Sequence, residues 1–167
     1  NADIIFTSSN ELKKRLLKRG NRLENKIWVI NNAVDPSTFQ FEEEKLSYSM
    51  KPKRKYVDLL YFGSISDWFD MSTILNIVNI HKSIRVILVG PATIHIPRHE
   101  RIFYKRPVQH MELYNYAKNV DCLIMPFKVN ELITAVDPVK LYEYISLNKI
   151  IISVKYDELE KFNDFVY

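Results

Sequence analysis

The sequence predicts an α/β fold, in which a parallel sheet is flanked by helices, on the basis of three observations. From Tyr56 onward, short apolar runs of strand length alternate with segments of helical periodicity. Residues 120–154 have the pattern of strand, loop, helix and strand, which is that of a βαβ unit. Finally, two of only three glycines, Gly63 and Gly90, directly follow apolar runs, where a chain leaving a strand must turn tightly.

The first part of the chain predicts two strands joined by a helix. The strands are residues 3–7 and 27–30, and the helix between them begins at Ser8 or Ser9, both good N-caps. Gly20 is a natural end for that helix. The following residues lose periodicity and contain an acidic and then a basic run, so we interpret them as a linker or crossover between two structural units.

The second part predicts a regular alternation of elements. Apolar runs of three to five residues indicate buried strands, and apolar residues at helical spacing indicate helices packed on them. The predicted strands are 59–62, 86–89, 102–104, 122–125 and 150–154, and the predicted helices are 71–81, 110–118, 137–148 and 157–165.

The start of the predicted helix 137–148 is well marked. Asp137 is a preferred N-cap residue, and Pro138 is preferred at the first helical position. In a βαβ unit this start lies at the carboxyl edge of the sheet, where the turns at Gly63 and Gly90 also lie. Because free backbone N–H groups and the helix dipole both favour negative charge there, the sequence predicts a phosphate-binding site.

Composition and motifs exclude several other classes. The chain has 167 residues, 47% hydrophobic and 26% charged, which is ordinary for a globular domain, and its longest apolar runs are strand-sized. Neither G-x-G-x-x-G nor G-x-x-x-x-G-K-[ST] is present, which argues against a dinucleotide-binding dehydrogenase or a P-loop enzyme. The single Cys122 excludes an internal disulfide. No metal site is expected, since Pro97 between His95 and His99 breaks any helix that would align them.

Basic residues cluster in and after the first helix, although the net charge is only +4. One interpretation is a solvated surface, and the alternative is contact with an anionic membrane. Aromatic residues do not interleave with the basic ones, so we expect no nucleic acid partner. The cluster consists of Lys13, Lys14, Arg15, Lys18, Arg19, Arg22 and Lys26.

These segments, taken together, resemble a known family. The chain resembles the C-terminal half of GT-B fold glycosyltransferases of the family 4 (group 1) type. The segments that carry the resemblance are, in order, ADIIFTSS, WVINNAVDPSTF, LLYFGSISDWFD, VILVGP, CLIMPF and DPVKLYEYISLNKIIISV. The resemblance implies that residues 1–38 are the last strand–helix–strand of an N-terminal domain plus the crossover, and that 39–55 are a linker. Residues 56–167 would then be a truncated, Rossmann-like, nucleotide-sugar-binding domain.

The resemblance also implies roles for individual residues. Glu143 would bind the ribose hydroxyls, for which a carboxylate is a suitable acceptor. An ordinary surface ion pair between Lys140 and Glu143, three residues apart, is the alternative for these two. The diphosphate would be held by Gly63, Ser64, Asp137, Pro138, Val139 and Lys140, and the base by Gly90, Arg106, Pro107 and Val108.

The chain departs from the family pattern at several positions. The family often has a glutamate that contacts the donor sugar eight positions before the ribose-binding one, and Ala135 stands there. Ala33 replaces a glycine of the crossover, and Asn148 replaces the glycine before the last strand, where Asn tolerates the left-handed conformation. The family often has a basic pair after the first glycine turn, and residues 66–70 stand there in this chain. Trp68 is interpreted either as a site residue or as a core residue. Asp70 is interpreted either as a site residue or as a helix cap.

The resemblance implies transfer of a sugar, with retention of configuration, from a UDP- or GDP-linked donor to a glycan or lipid-linked acceptor in polysaccharide biosynthesis. No cofactor or metal is expected, and the location would be cytoplasmic, at or near the inner face of the membrane. The catalytic groups are unknown and would come from a missing N-terminal domain, so the chain alone would be inactive. A non-catalytic nucleotide- or partner-binding module of the same fold is the alternative.

Overall fold

The N-terminal part of the chain forms a small parallel sheet with a helix. The structure, a computed structural model, describes residues 2–35 and 54–167, so all but the end of the predicted linker 39–55 lies outside the described residues. The elements of this part are β1 (Ile5–Thr7), α1 (Asn10–Leu17), a 3₁₀ helix (Asn21–Lys26) and β2 (Ile27–Val29). The Ser9 side chain caps α1 by accepting a hydrogen bond from the Leu12 N–H, as predicted.

The second part contains a five-stranded sheet in which every pair of neighbours is parallel, and this confirms the predicted fold class. Its strands are β3 (Val57–Phe62), β4 (Ile84–Val89), β5 (Ile102–Lys105), β6 (Cys122–Met125) and β7 (Ile150–Ser153). The helices are α2 (Met71–Ile80), α3 (His110–Lys118) and α4 (Val139–Ser146). The spatial order is β5-β4-β3-β6-β7, so the chain builds outward from β3 in one direction and then restarts at β6 in the other.

The core lies on both faces of this sheet. The central strands are buried along most of their length, as expected for strands covered by helices on both sides. Asp70 accepts hydrogen bonds from the Thr73 N–H and hydroxyl at the start of α2, so of the two roles considered for it the helix cap is confirmed. Asn148 has a φ of 48°, the left-handed conformation that the sequence predicted for it.

The last predicted helix, 157–165, is wrong in type and length. The structure has a 3₁₀ helix over Asp157–Phe162 instead. Leu159 and Phe162 are both buried there, and their spacing of three residues places them on one side of a 3₁₀ helix. Glu158 is buried as well. Its carboxylate accepts a hydrogen bond of 2.7 Å from the Glu11 N–H of α1, which compensates in part for the lost hydration.

The two glycine turns meet at the carboxyl edge of the sheet. Gly63 and Gly90 have φ values of 134° and 141°, in the region that side chains disfavour. A Cβ atom on Gly90 would collide with the backbone carbonyl of Gly63, so the two turns pack directly on each other. Glycine is therefore required at position 90 by both conformation and space.

We expect Gly90→Ala to lower the free energy of unfolding by roughly 1–3 kcal/mol from backbone strain, with the collision adding to this. Denaturant unfolding followed by circular dichroism measures the change. Gly20→Ala is the matched control, because Gly20 has an extended φ of 165° and nothing lies within 4 Å of an added Cβ. Equal losses in the two variants would contradict the requirement for glycine at position 90.

Candidate functional site

A cavity lies where the strand order reverses. In an open parallel sheet, ligands bind outside the carboxyl ends of the strands at this switch point, which here falls between β3 and β6. A cavity of about 470 Å³ occupies this position. It is lined by Tyr61, Gly63, Ser64, Trp68, Phe127, Leu132, Ile133, Val136, Pro138, Val139, Lys140 and Glu143.

A buried tyrosine joins the strands on either side of the switch point. β3 and β6 pair at Leu59–Cys122 and Leu60–Leu123, whereas further along Tyr144 of α4 reaches between them. Its hydroxyl accepts from the Phe62 N–H at 3.2 Å and donates to the Ile124 carbonyl at 3.4 Å. Burial raises the pKa of Tyr144 well above its ordinary value, so the hydroxyl stays neutral and can serve both groups. The tyrosine thereby fixes α4 against the opening between the strands.

The predicted N-cap of α4 is wrong by one residue. Val139 is the first helical residue, and Pro138 occupies the N-cap position without making a side-chain hydrogen bond. Since helix geometry gives the first-turn N–H groups no acceptor, the N–H groups of Val139 and Lys140 are suited to an external anion. The half-exposed Val139 side chain, 46% accessible, shows that this start is open to solvent.

Asp137 does not cap α4 because its side chain has other partners. Its carboxylate is fully buried and accepts 2.7 Å hydrogen bonds from the Asn32 N–H and from the Lys161 ammonium. The Tyr142 hydroxyl lies 3.1 Å from one of its oxygens, and the Asn32 side chain donates to the Asp137 carbonyl at 2.6 Å. Asp137 thus ties the residues after β2 to the turn before α4.

Lys140 and Glu143 share the polar end of the cavity. The Lys140 ammonium lies 3.8 Å from the Glu143 carboxylate, and their side chains are only 20% and 21% exposed, so a freely solvated pair is excluded. The ammonium is also 4.8 Å from the centre of the Phe62 ring, within cation–π range. Burial lowers the pKa of Lys140, and Glu143 offsets part of that effect. Lys140 is therefore a partly desolvated cation at the edge of an open cavity.

The residues predicted to bind the base do not line the cavity. Gly90 supports the Gly63 turn from behind and does not line the cavity. Arg106 and Pro107 are exposed and Val108 packs on the core, and none of them lines the cavity. The segment that begins at Arg106 does approach the polar end of the cavity. The imidazole of His110 in this segment lies 3.9 Å from the Glu143 carboxylate.

Several cavity residues were not predicted as site residues. Trp68, for which a site role and a core role were both considered, packs on the core and also lines the cavity. Tyr61 and Phe127 belong to segments whose sequence pattern predicts core residues. Nothing in the sequence distinguishes these two cavity residues from core residues. The unpredicted residues of the loop before α4 are Leu132, Ile133 and Val136, whose apolar character in an otherwise polar connection was the available signal.

The known proteins that are similar to this chain include glycosyltransferases. No protein-family model matches the chain. The chain is 24% identical over 167 residues to TuaH of Bacillus subtilis (strain 168), whose name describes a teichuronic acid biosynthesis glycosyltransferase, and the match covers 96% of this chain and 42% of that protein. Among solved structures it is similar to Anabaena Alr3699/HepE in complex with UDP and glucose, with a TM-score of 0.67 at 13% identity over 99% of this chain and 49% of that one.

The chain has the fold of half of a GT-B glycosyltransferase. A glycosyltransferase from Rickettsia africae ESF-5 gives a TM-score of 0.63 at 18% identity and covers 96% of this chain and 47% of that one. Sucrose-phosphate synthase from Thermosynechococcus elongatus gives 0.64 at 12% identity, covering 96% and 43%. The chain spans about half the length of the relatives that it matches, and the predicted GT-B resemblance is confirmed.

Two further properties of the described residues concern contact with a membrane. Across residues 2–35 and 54–167, no helix is long and apolar enough to span a membrane. In the basic cluster, Lys14, Lys18, Arg19 and Arg22 are exposed, while Arg15 pairs with Glu11 at 2.9 Å.

We expect Asp137→Asn to lower the free energy of unfolding by about 1.5–3 kcal/mol, the range for a hydrogen bond to a charged group. An amide has one acceptor oxygen, so its NH₂ group would face either the Asn32 N–H or the Lys161 ammonium, and both are donors. Denaturant unfolding measures the loss, with the exposed Asp67→Asn as control. A loss no larger than that of the control would show that these contacts do not hold the turn.

Proposed function

We propose that this chain is the donor-binding part of a glycosyltransferase that takes a sugar from a nucleoside diphosphate donor. The observation that carries the proposal is the meeting of three features in one cavity: the turn at Gly63, the uncapped start of α4 and the Lys140–Glu143 pair. Each feature suits one part of such a donor, and the fold is one that glycosyltransferases use.

The diphosphate is assigned to the start of α4. The backbone N–H groups of Val139 and Lys140 and the Lys140 ammonium supply donors and positive charge, while Gly63 and Ser64 let the backbone approach closely. During transfer the bond from the sugar C1 to the diphosphate oxygen breaks, a bond forms from C1 to the acceptor oxygen, and the proton of the acceptor hydroxyl passes to the leaving diphosphate or to solvent. The negative charge that develops on the leaving diphosphate is stabilised by these donors.

The nucleoside is assigned to the other side of Lys140. Glu143 lies one turn further into α4 and accepts hydrogen bonds from the ribose hydroxyls. Beyond it, His110 connects this carboxylate to the segment of Arg106, Pro107 and Val108, which we assign to the base. Asp137, initially assigned to the diphosphate, contributes through its backbone and by fixing the turn, since its side chain is already engaged.

The finer points of the proposal follow from the family resemblance. The donor is UDP- or GDP-linked, and the complexes of HepE with UDP and with UDP-glucose favour the former. The reaction retains configuration and uses no metal, and the acceptor is a glycan or a lipid-linked glycan of polysaccharide biosynthesis. The acceptor site and the catalytic groups belong to an N-terminal domain. We place the protein in the cytoplasm at the inner face of the membrane, where the exposed basic residues after α1 would meet anionic lipid.

A non-catalytic nucleotide-binding module is the second candidate. Ala135 favours it, because the family often has a sugar-contacting glutamate there. Both candidates bind nucleoside diphosphates, but only the first transfers sugar once the complete protein is supplied with donor and acceptor. Hydrolysis or transfer assays on the longer protein, with release of nucleoside diphosphate as the readout, separate the two.

We expect the 167-residue chain to bind a nucleoside diphosphate in isothermal calorimetry with a panel of UDP, GDP, dTDP and ADP. Lys140→Met should weaken binding about tenfold to a hundredfold, because a charge-assisted hydrogen bond to phosphate is lost. Glu143→Gln should weaken it about tenfold through the loss of ribose hydrogen bonds.

The controls are chosen to be alike in chemistry and remote from the cavity. Lys155→Met and Glu112→Gln change exposed residues of the same types. Absence of binding to every member of the panel would overturn the proposal, and equal affinities in the Lys140 and Lys155 variants would remove Lys140 from the site.

Binding should weaken as the pH rises through the alkaline range, because only the protonated Lys140 attracts the diphosphate. Burial lowers the pKa of Lys140 from its ordinary value of 10.5, so in the unliganded protein it loses its proton earlier than an exposed lysine does. Calorimetry at constant ionic strength, from neutral pH up to about 10.4, the ordinary pKa of lysine, measures the effect. Lys140→Met should lose this part of the pH dependence, while any ionisation of the ligand affects both proteins alike. Parallel pH profiles would contradict it.

A further inference from the structure

We infer that Gly63 is a positioning residue, which acts on the donor through Lys140: because residue 63 has no side chain, the lysine ammonium can lie against the turn and meet the diphosphate there. This inference rests on the proposed function. It gives a reason for glycine at position 63 that is separate from the tight turn and from the approach of the backbone to the donor. The observation that carries it is that the Lys140 side chain occupies the place where a side chain of residue 63 would begin.

The cavity has a single cation with which to attract a diphosphate. Among the residues of 2–35 and 54–167 that line it, Lys140 is the only basic one, and Glu143 is the only acidic one. A diphosphate carries negative charge on both of its phosphate groups, and electrostatic attraction falls with distance. The affinity of the site for a diphosphate therefore depends on where this one ammonium is held.

The end of the Lys140 side chain fills the space beside Gly63. A Cβ atom added to Gly63 would lie 2.5 Å from the Lys140 ammonium nitrogen and would also collide with the methylene group next to it. Ordinary van der Waals contact begins at about 3.5 Å. The lysine can therefore take this position only because residue 63 is glycine.

The attractive contacts of the ammonium do not by themselves fix its position. The Glu143 carboxylate is 3.8 Å away, which is too far for a hydrogen bond, so this ion pair imposes no direction. The Phe62 ring lies 4.8 Å from the ammonium at its centre, and attraction to a ring acts over a range of up to about 6 Å. The space beside Gly63 thus decides how closely the ammonium approaches the turn.

In a Gly63→Ala variant the lysine would move, because the turn is held from two sides. The Gly63 N–H donates a hydrogen bond to the Val89 carbonyl at 2.8 Å, and Gly90 packs against the Gly63 carbonyl so closely that no Cβ fits between them. Lys140, in contrast, approaches with the far end of a flexible side chain. The added methyl group would displace the ammonium by roughly 1 Å, from 2.5 Å to ordinary contact distance.

A displacement of this size is enough to weaken phosphate binding. A charge-assisted hydrogen bond requires a donor–acceptor distance of about 2.7–2.9 Å. If the ammonium moves by roughly 1 Å, either this bond is lost or the phosphate must shift away from the backbone N–H groups at the start of α4. The two sets of donors act together only while the ammonium lies against Gly63.

The test is a double-mutant cycle of Gly63→Ala and Lys140→Ala in the 167-residue chain. The affinity for UDP, or for GDP if that is the nucleotide that binds, is measured by NMR shift titration, which also quantifies weak binding. We expect Gly63→Ala to weaken binding about tenfold while Lys140 is present. Once Lys140 is alanine, the atoms with which the methyl group collides are gone, and the further loss should not exceed about twofold.

The cycle separates the lysine from the backbone. Strain from the positive φ of 134° at position 63 is present in both backgrounds and cancels in the comparison. Gly20→Ala is the control for an added methyl group, and it should leave the affinity unchanged because Gly20 lies outside the cavity lining and has open space around it.

The outcomes distinguish this inference from the proposed function. Equal losses in the two backgrounds would show that the methyl group acts on the turn or on the donor directly, which overturns the inference and leaves the proposed function standing. Absence of any loss while Lys140 is present would do the same. If the unchanged chain binds none of the nucleoside diphosphates of the panel, both are overturned.

A measurement on the unchanged chain does not depend on the folding of Gly63→Ala. The α protons of Gly63 and the ε protons of Lys140 should give a nuclear Overhauser effect, both in the free chain and in the chain saturated with UDP. Retention of this contact in the UDP-bound chain supports the inference. Its absence there would overturn it, because Lys140 would then reach the phosphate from another position.

Discussion

The hydroxyl of Tyr144, buried between two diverging strands, is the contact on which the arrangement of the site depends. Where β3 and β6 separate, the Phe62 N–H and the Ile124 carbonyl would have no partner in the core, and an unsatisfied buried polar group is costly. One tyrosine satisfies both. Because it belongs to α4, the same contact that repairs the sheet also sets the height and rotation of the helix above the opening.

Fixing α4 in this way determines where its other side chains lie. Lys140 is one turn before Tyr144 on the same face, so its ammonium lies among the rings of Tyr61, Phe62 and Tyr144, at 5.8, 4.8 and 6.0 Å from their centres. These rings and Glu143 compensate only in part for the lost hydration, as the lowered pKa of Lys140 indicates. An incoming anion would complete the compensation, so the energetic cost of holding this cation out of water favours phosphate binding.

Local patterns predicted the parts of the fold that local chemistry decides. The α3 helix has the predicted bounds, and Gly63 and Gly90 were identified because a chain with so few glycines keeps them where the backbone must turn. Asp137 was assigned to the cap because an Asp-Pro pair usually marks a helix start. Its actual partners, Lys161 and Asn32, are 24 and 105 residues away, and no local rule can weigh them. Tyr61 and Phe127 were missed as cavity residues for a related reason, since a side chain that lines a cavity and one that fills a core look the same in sequence.

The segment before α4 is two-sided, and this separates what holds the protein together from what it recognises. Ala135 and Asp137 are buried, 5% and 2% accessible, whereas Leu132, Ile133 and Val136 line the cavity. The inward set carries the attachments to Ser9, Asn32 and Lys161. Substitutions at Leu132 and Val136 can therefore reshape the cavity while the attachments of Ala135 and Asp137 keep the turn before α4 in place.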